Sequence, residues 1–196
     1  MDLSKEERKE LKEEINEEKK EPMDDSDIRD FLPDVKIMRY ADLKDYKTIQ
    51  ELLPNDIDYC IILYQESENK GHWVAVLRYN NTFEFFDPYS SPNGEIDEPL
   101  LWTPCLMRMK LGVGIPFMTR LFNNIDQTKY KAIYNPIKYQ ILKDDVNSCG
   151  RHCTFRILNL IKKNRDLDMY YKHMVKLSKK YKLNFDDIVT AMIPDN

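Results

Sequence analysis

The alternation of apolar and polar positions changes character several times along the chain. After Met1 and up to Lys20, apolar residues are confined to Leu3, Leu11 and Ile15, and acidic and basic residues alternate between them. Ser4 with Glu7 three residues later reads as a capping box, and the four-residue spacing of Leu11 and Ile15 offers a narrow apolar stripe. This predicts an exposed charged helix that ends near Glu21-Pro22, serving as a solvated arm or as a docking arm for a partner. From Met23 the pattern becomes globular: residues 24–32 and 43–53 read as short helices, 34–40 as extended chain, and Pro33 and Pro54 as breaks.

Tyr59 to Tyr64 is a continuous apolar run of strand length, the pattern of a strand covered on both faces. His72 to Arg78 alternates: Trp73, Ala75 and Leu77 fall on one face, and His72, Val74, Val76 and Arg78 on the other. Asn80-Asn81 supplies a two-residue hairpin turn into a strand from Thr82 to Phe86, so a sheet of at least three strands is expected. Residues 99–109 and 116–125 read as helices joined by Gly112-Val113-Gly114, residues 130–134 as a strand, and 137–142 as a further extended piece. Cys153, Phe155, Ile157, Leu158, Leu160 and Ile161 then recur at helical spacing, which places Cys149 at or just before a helix N-terminus.

Composition narrows the class without choosing a function. A chain of 196 residues with 42% apolar content, 12 Tyr and 8 Phe suits one core-bearing domain, taken as residues 23–196 behind a charged arm of residues 1–22. The net charge of −4 gives no global basic field that would demand a nucleic acid or a membrane as main partner. The four cysteines sit in unlike contexts, with no secretory leader pattern and no apolar run near the ~20 residues of a membrane span. A reducing, non-secretory compartment follows as the expectation. Cys60 and Cys105 read as packing residues, and Cys153 as buried on the helix it shares with Cys149. Cys149, His152 and Cys153 crowd one turn with no second ligand pair elsewhere, a poor zinc set. Asp144-Asp145 reads as a solvated loop.

The candidate chemistry lies in two short segments. Gly71-His72-Trp73 is followed by Phe85-Phe86-Asp87, and Tyr139-Gln140 leads into Asn147-Ser148-Cys149-Gly150. A hairpin pivoting on Asn80-Asn81 brings His72 roughly opposite Asp87 or Pro88, where a carboxylate would fix an imidazole tautomer. A Cys that opens a helix has unpaired backbone N–H groups and the positive end of the helix dipole beside it, which suits a nucleophilic sulfur and a developing oxyanion. His, carboxylate, amide and thiol are the parts of an activated thiol nucleophile. Their order along the chain, His first and Cys last, differs from the Cys-first order of papain-like proteases, while the helices between Asp87 and Gln140 exclude a double barrel.

At these residues the chain resembles the adenovirus maturation protease (adenain) and the ubiquitin-like-protein proteases. The likeness is nearest to the adenain-like proteases of virophages and polinton-type viruses. It rests on Gly71 to Val74, Phe86 to Tyr89, Tyr139-Gln140 and Cys149 to Arg151, and spans residues 23 to about 160. The resemblance implies an α+β fold with a central mixed sheet flanked by helices, a papain-like core in circularly permuted order. It further implies Cys149 as nucleophile, His72 as general base and then acid, Asp87 as the group orienting His72, and Gln140 as side-chain oxyanion donor. Trp73 matches the aromatic that narrows the family's substrate channel, with ordinary core packing as its alternative. Gln140 lies nine residues before Cys149, against six or seven in better-known members, so residues 143–145 read as an insertion, and Asn147 is the alternative donor. The implied substrates are capsid or other virion precursors cut after small residues such as Gly, in the virus factory of the host cytoplasm or in the virion. No metal or organic cofactor is implied, and a peptide or DNA activator remains open. Deconjugation of a ubiquitin-like protein is the alternative activity, a catalytically silent binding module a second, and acyl transfer a remote third.

Overall fold

The structure, a computed structural model, describes residues 4–67, 71–90, 95–97 and 103–194. The chain forms two compact units, one of residues 34–137 and one that joins residues 1–33 to 138–196.

The central unit holds a five-stranded mixed sheet of strands β1 (Lys36–Arg39), β2 (Asp58–Gln65), β3 (Gly71–Tyr79), β4 (Thr82–Phe86) and β5 (Lys131–Tyr134). Spatial order follows chain order, with β2–β3 and β3–β4 antiparallel and both edge strands parallel to their neighbours. Asn80 and Asn81 take φ of 46° and 57°, the left-handed pair that a two-residue hairpin matching strand twist requires. One sheet face carries Cys60, Ile62, Tyr64, Val74, Val76, Phe83 and Phe85. They pack with residues of a 3-10 turn (Tyr40–Asp45), α3 (Ile49–Leu52) and α5 (Phe117–Asn123) into one apolar cluster. The opposite face carries Ile61, Ala75, Leu77 and Phe86, also buried, which explains the unbroken apolar run in β2.

Two expected helices differ. The single helix expected over 43–53 is split into the 3-10 turn and the four-residue α3. Arg120 donates to the carbonyls of Leu43 and Tyr46 at 3.0 and 2.8 Å, and Thr48 caps α3 by accepting from the Glu51 N–H, so the intervening chain is held extended. The expected helix 99–109 appears as α4 (Cys105–Leu111), and residues 99–102 lie outside the described residues. Cys105 is exposed, and Leu106 and Met109 are 83% and 75% exposed, so Cys105 is not the packing residue its apolar neighbours suggested. α4 ends where Gly112 takes φ 70°, the left-handed cap.

The other unit consists of α1 (Lys5–Glu18), α2 (Asp25–Phe31), an irregular segment from residue 138 to 148, α6 (Cys149–Lys163), α7 (Leu167–Tyr181) and α8 (Phe185–Met192). The extended piece expected over 137–142 pairs with no strand among the described residues. The Ser4–Glu7 capping box is present, and most of α1 is exposed. Its last turn is not: Ile15 is buried, and Lys19 forms an ion pair of 2.9 Å with Asp187 of α8. The charged arm thus docks on its own chain.

Candidate active site

In the central unit the hairpin delivers His72 to Asp87. The β3–β4 ladder pairs Ala75 with Phe86 and Arg78 with Phe83. Continued past its last pair, that register sets Asp87 beside Val74 and Tyr89 beside His72, one or two steps from the expected alignment with Pro88 or Asp87. His72 and Asp87 then lie diagonally on one face, a separation that side chains can bridge. They do so with Nε2 of His72 2.6 Å from Oδ1 of Asp87, both groups buried. The ring of Tyr89 stacks on the imidazole at 4.5 Å and 23°. Strand alternation turns Trp73 to the other face from His72.

The carboxylate is itself held. Tyr89 N–H donates to Asp87 Oδ1 at 2.9 Å, Asp87 N–H donates to Asn135 Oδ1 at 2.8 Å, and Asn135 Nδ2 donates back to the Asp87 carbonyl at 2.6 Å. Asn135 follows β5 directly, so the fifth strand braces the triad candidate from the side. Gly71 starts β3 because a Cβ there would stand 2.6 Å from Leu63 Cδ1 and 2.8 Å from the Tyr64 carbonyl, pushing the His72 strand off β2. Glu84, the other nearby carboxylate, is buried and accepts from Tyr79 OH.

In the second unit Cys149 is the first residue of α6, mostly buried at 8% exposure. The segment before it is pinned at successive residues. Asn147 donates its backbone N–H to Lys19 O at 2.8 Å and its side-chain amide to Lys20 O, and Ser148 donates its hydroxyl to Asp186 Oδ1 at 2.6 Å. Two residues after the Cys, the fully buried Arg151 donates to Glu21 O at 2.8 Å and to Ile193 O at 3.2 Å. Gln140 is buried and donates through Nε2 to Val146 O at 3.0 Å. Tyr139 before it rests against the rings of Tyr170 and Phe185 at 5.4 and 5.6 Å. Residues 141–145 are exposed, with a turn closed by Val146 N–H on Lys143 O, so this stretch bulges outward.

His152, on the same turn as Cys149 and Cys153, faces a carboxylate. Its Nε2 lies 3.0 Å from Asp186 Oδ1. Burial pushes the Asp186 carboxyl up, but hydrogen bonds and charge from His152, with further bonds from Ser148 and Ile141 N–H, outweigh it and leave the group below its ordinary value. No cysteine among the described residues is in a disulfide.

Sequence reasoning missed Asn135 and Asp186, and quoted Tyr89 in a motif without giving it a role. Asn135 carried a readable signal, an Asn before Pro136 at a strand end. Asp186 stood in a stretch whose helical pattern after residue 164 had not been read, two positions after the helix-capping Asn184.

No family model matches the chain. It is 29% identical over 168 residues to "Uncharacterized protein V9" of Sputnik virophage, an alignment covering 85% of this chain and 90% of that protein. Two solved structures of the SUMO protease Ulp1 show a distant likeness. One has the catalytic cysteine oxidized to a sulfinic acid (TM-score 0.41, 12% identity, 98% of this chain and 97% of that one). The other has it oxidized to a sulfonic acid (TM-score 0.40, 10% identity, 98% of each chain). At those scores the likeness says nothing about chemistry. Among the described residues no helix is long and apolar enough to cross a membrane.

Proposed function

We propose that the chain is a viral cysteine endopeptidase that cuts virion precursor proteins, with Cys149 as nucleophile, His72 as general base and acid, Asp87 as orienting carboxylate and Gln140 as oxyanion donor. The observation that carries this reading is the buried His72–Asp87 hydrogen bond of 2.6 Å. An imidazole whose Nε2 is committed to a braced carboxylate exchanges its catalytic proton through Nδ1 and gains stabilisation when it becomes imidazolium. Cys149 supplies the second requirement by opening a helix, where its backbone N–H is available to an oxyanion. The similarity to a virophage protein supports the viral setting.

In the proposed cycle the Cys149 sulfur, its proton passed to His72, attacks the scissile carbonyl. The oxyanion is held by Cys149 N–H and the Gln140 amide. His72 then protonates the leaving amine, giving a thioester, and draws a proton from water that releases the acid and restores the thiol. The motif resemblance favours Gly or another small residue before the cut, with Trp73 beside the substrate channel.

Incubation with capsid proteins of the same viral genome, followed by mass mapping of new termini, tests the reading. New termini after small residues, absent with Cys149→Ala, are expected. Cleavage only of a folded ubiquitin-like fusion would move the assignment to deconjugation, and termini unchanged by Cys149→Ala would end it.

A further inference from the structure

Three segments of the unit that carries Cys149 converge on one carboxylate. Asp186, second residue of α8, is 1% exposed. Its Oδ2 accepts Ile141 N–H at 3.1 Å, and its Oδ1 accepts the Ser148 hydroxyl at 2.6 Å and faces His152 Nε2 at 3.0 Å. Ile141 directly follows Gln140, and Ser148 directly precedes Cys149. The two groups assigned to the oxyanion, the Gln140 amide and the Cys149 backbone N–H, are therefore each one residue from an atom bonded to this carboxylate.

That placement has a geometric consequence. The nine-residue interval between Gln140 and Cys149 includes an exposed bulge, so local chain stiffness does not set the distance between the two donors. The Val146 carbonyl ties Gln140 to the far end of the bulge, and Asp186 ties the Ile141 N–H and the Ser148 hydroxyl, at the two ends of the interval, to a helix outside it. We propose that Asp186 is a positioning residue for the oxyanion site, holding the Gln140 amide and the Cys149 N–H at a fixed separation. This rests on the thiol-protease reading above. A carboxylate meets the demand because both of its oxygens accept. An Asn would turn an NH2 group either toward Ile141 N–H, which opens that side of the clamp, or toward Ser148 and His152, which would both have to change from donor to acceptor.

The test compares two reactions of Cys149. Iodoacetamide alkylates the sulfur with loss of iodide and forms no oxyanion, whereas a peptide glycinal adds the thiol across its carbonyl and places the oxygen in the oxyanion site. In Asp186→Asn, Cys149 alkylation is expected within about threefold of the parent rate, while the dissociation constant for the glycinal rises at least about tenfold, the direction of a misaimed donor. Ser148→Ala removes one arm of the clamp and is expected to weaken glycinal binding by a smaller factor that Ser148→Thr restores. This pair decides the matter if Asp186→Asn does not fold. Parent-like glycinal affinity in Asp186→Asn, or in Ser148→Ala where only that variant folds, overturns the proposal. A parent protein whose Cys149 alkylates no faster than Cys105 and binds no glycinal overturns the protease reading itself.

Discussion

Gln140 donates its amide to the Val146 carbonyl at 3.0 Å, bridging an exposed bulge that begins at its own neighbour. An amide carries two N–H groups, and the proposed cycle draws on this amide at the oxyanion. Gln140→Ala is expected to lower kcat by roughly 10²- to 10³-fold with KM nearly unchanged, and Gln140→Glu to be at least as damaging. Asn147→Ala should leave kcat near the parent value, because that amide is spent on Lys20 O. Steady-state kinetics showing the large loss in Asn147→Ala instead would transfer the donor role.

The two thiols of α6 should separate cleanly. Cys149→Ala is expected to abolish turnover with little change in unfolding midpoint. Cys153, fully buried one helical turn later, should keep most activity as Ala while losing on the order of 1 kcal/mol to the small cavity. Denaturant unfolding of both variants, beside their rates, checks the contrast.

Asp87→Asn is expected to depress kcat/KM by orders of magnitude, roughly 10²- to 10⁴-fold, since Asn can leave His72 in the wrong tautomer. The parent pH–rate profile should be a bell whose limbs belong to the Cys149–His72 pair. Glu84→Gln should leave the rate near parental, its carboxylate being occupied by Tyr79 OH on the face away from His72. A parental rate in Asp87→Asn would mean that another group orients the imidazole.

Acid sensitivity should trace in part to Asp186. Its folded-state carboxyl lies below the ordinary 3.8, so its contribution to stability is complete above that value and is lost as pH falls through the lower folded-state value. Asp186→Asn should be less stable than the parent at neutral pH and should show a shallower loss below about pH 4. Chemical unfolding at a series of pH values from 7 to 2.5 reads the difference between the two curves; parallel curves would place the acid limb elsewhere.

Thiol labelling of the folded protein should rank the remaining cysteines. Burial pushes the Cys60 thiol up to about 12, and it sits inside β2, so maleimide should reach it only on unfolding. Cys105 is exposed and should label at an ordinary thiol rate. Peptide mapping after brief labelling distinguishes the two.

The legible parts of this chain were those with local causes. The β2–β3–β4 meander followed from an apolar run, an alternating run and an Asn-Asn turn, and the start of α6 at Cys149 from helical spacing. The contact between His72 and Asp87 followed from the same hairpin, although the expected alignment of His72 with Asp87 or Pro88 fell one or two steps short of Tyr89, the position that the Arg78–Phe83 pair sets. Interactions of long sequence separation were not legible. Arg120 breaks the helix expected near residue 46 from 74 positions away, Asn135 braces Asp87 from 48, and Asp186 reaches Ser148 from 38. No periodicity encodes such pairs. Cys105 misled for the opposite reason: its neighbours Leu106 and Met109 form an apolar stripe that the fold leaves exposed.

The unit that bears Cys149 is discontinuous, and that has a consequence for synthesis. As the chain leaves the ribosome, the carbonyls of residues 19–21 that hold Asn147 and Arg151 are made first, and the central sheet follows. When Cys149 emerges, the Ser148 hydroxyl has no acceptor, because Asp186 is still inside the ribosome, and Arg151 lacks the Ile193 carbonyl. Nascent chains thus carry the thiol without its complete mounting until α8 is released and packs. Competence of the proposed protease would arrive only once α8 is in place.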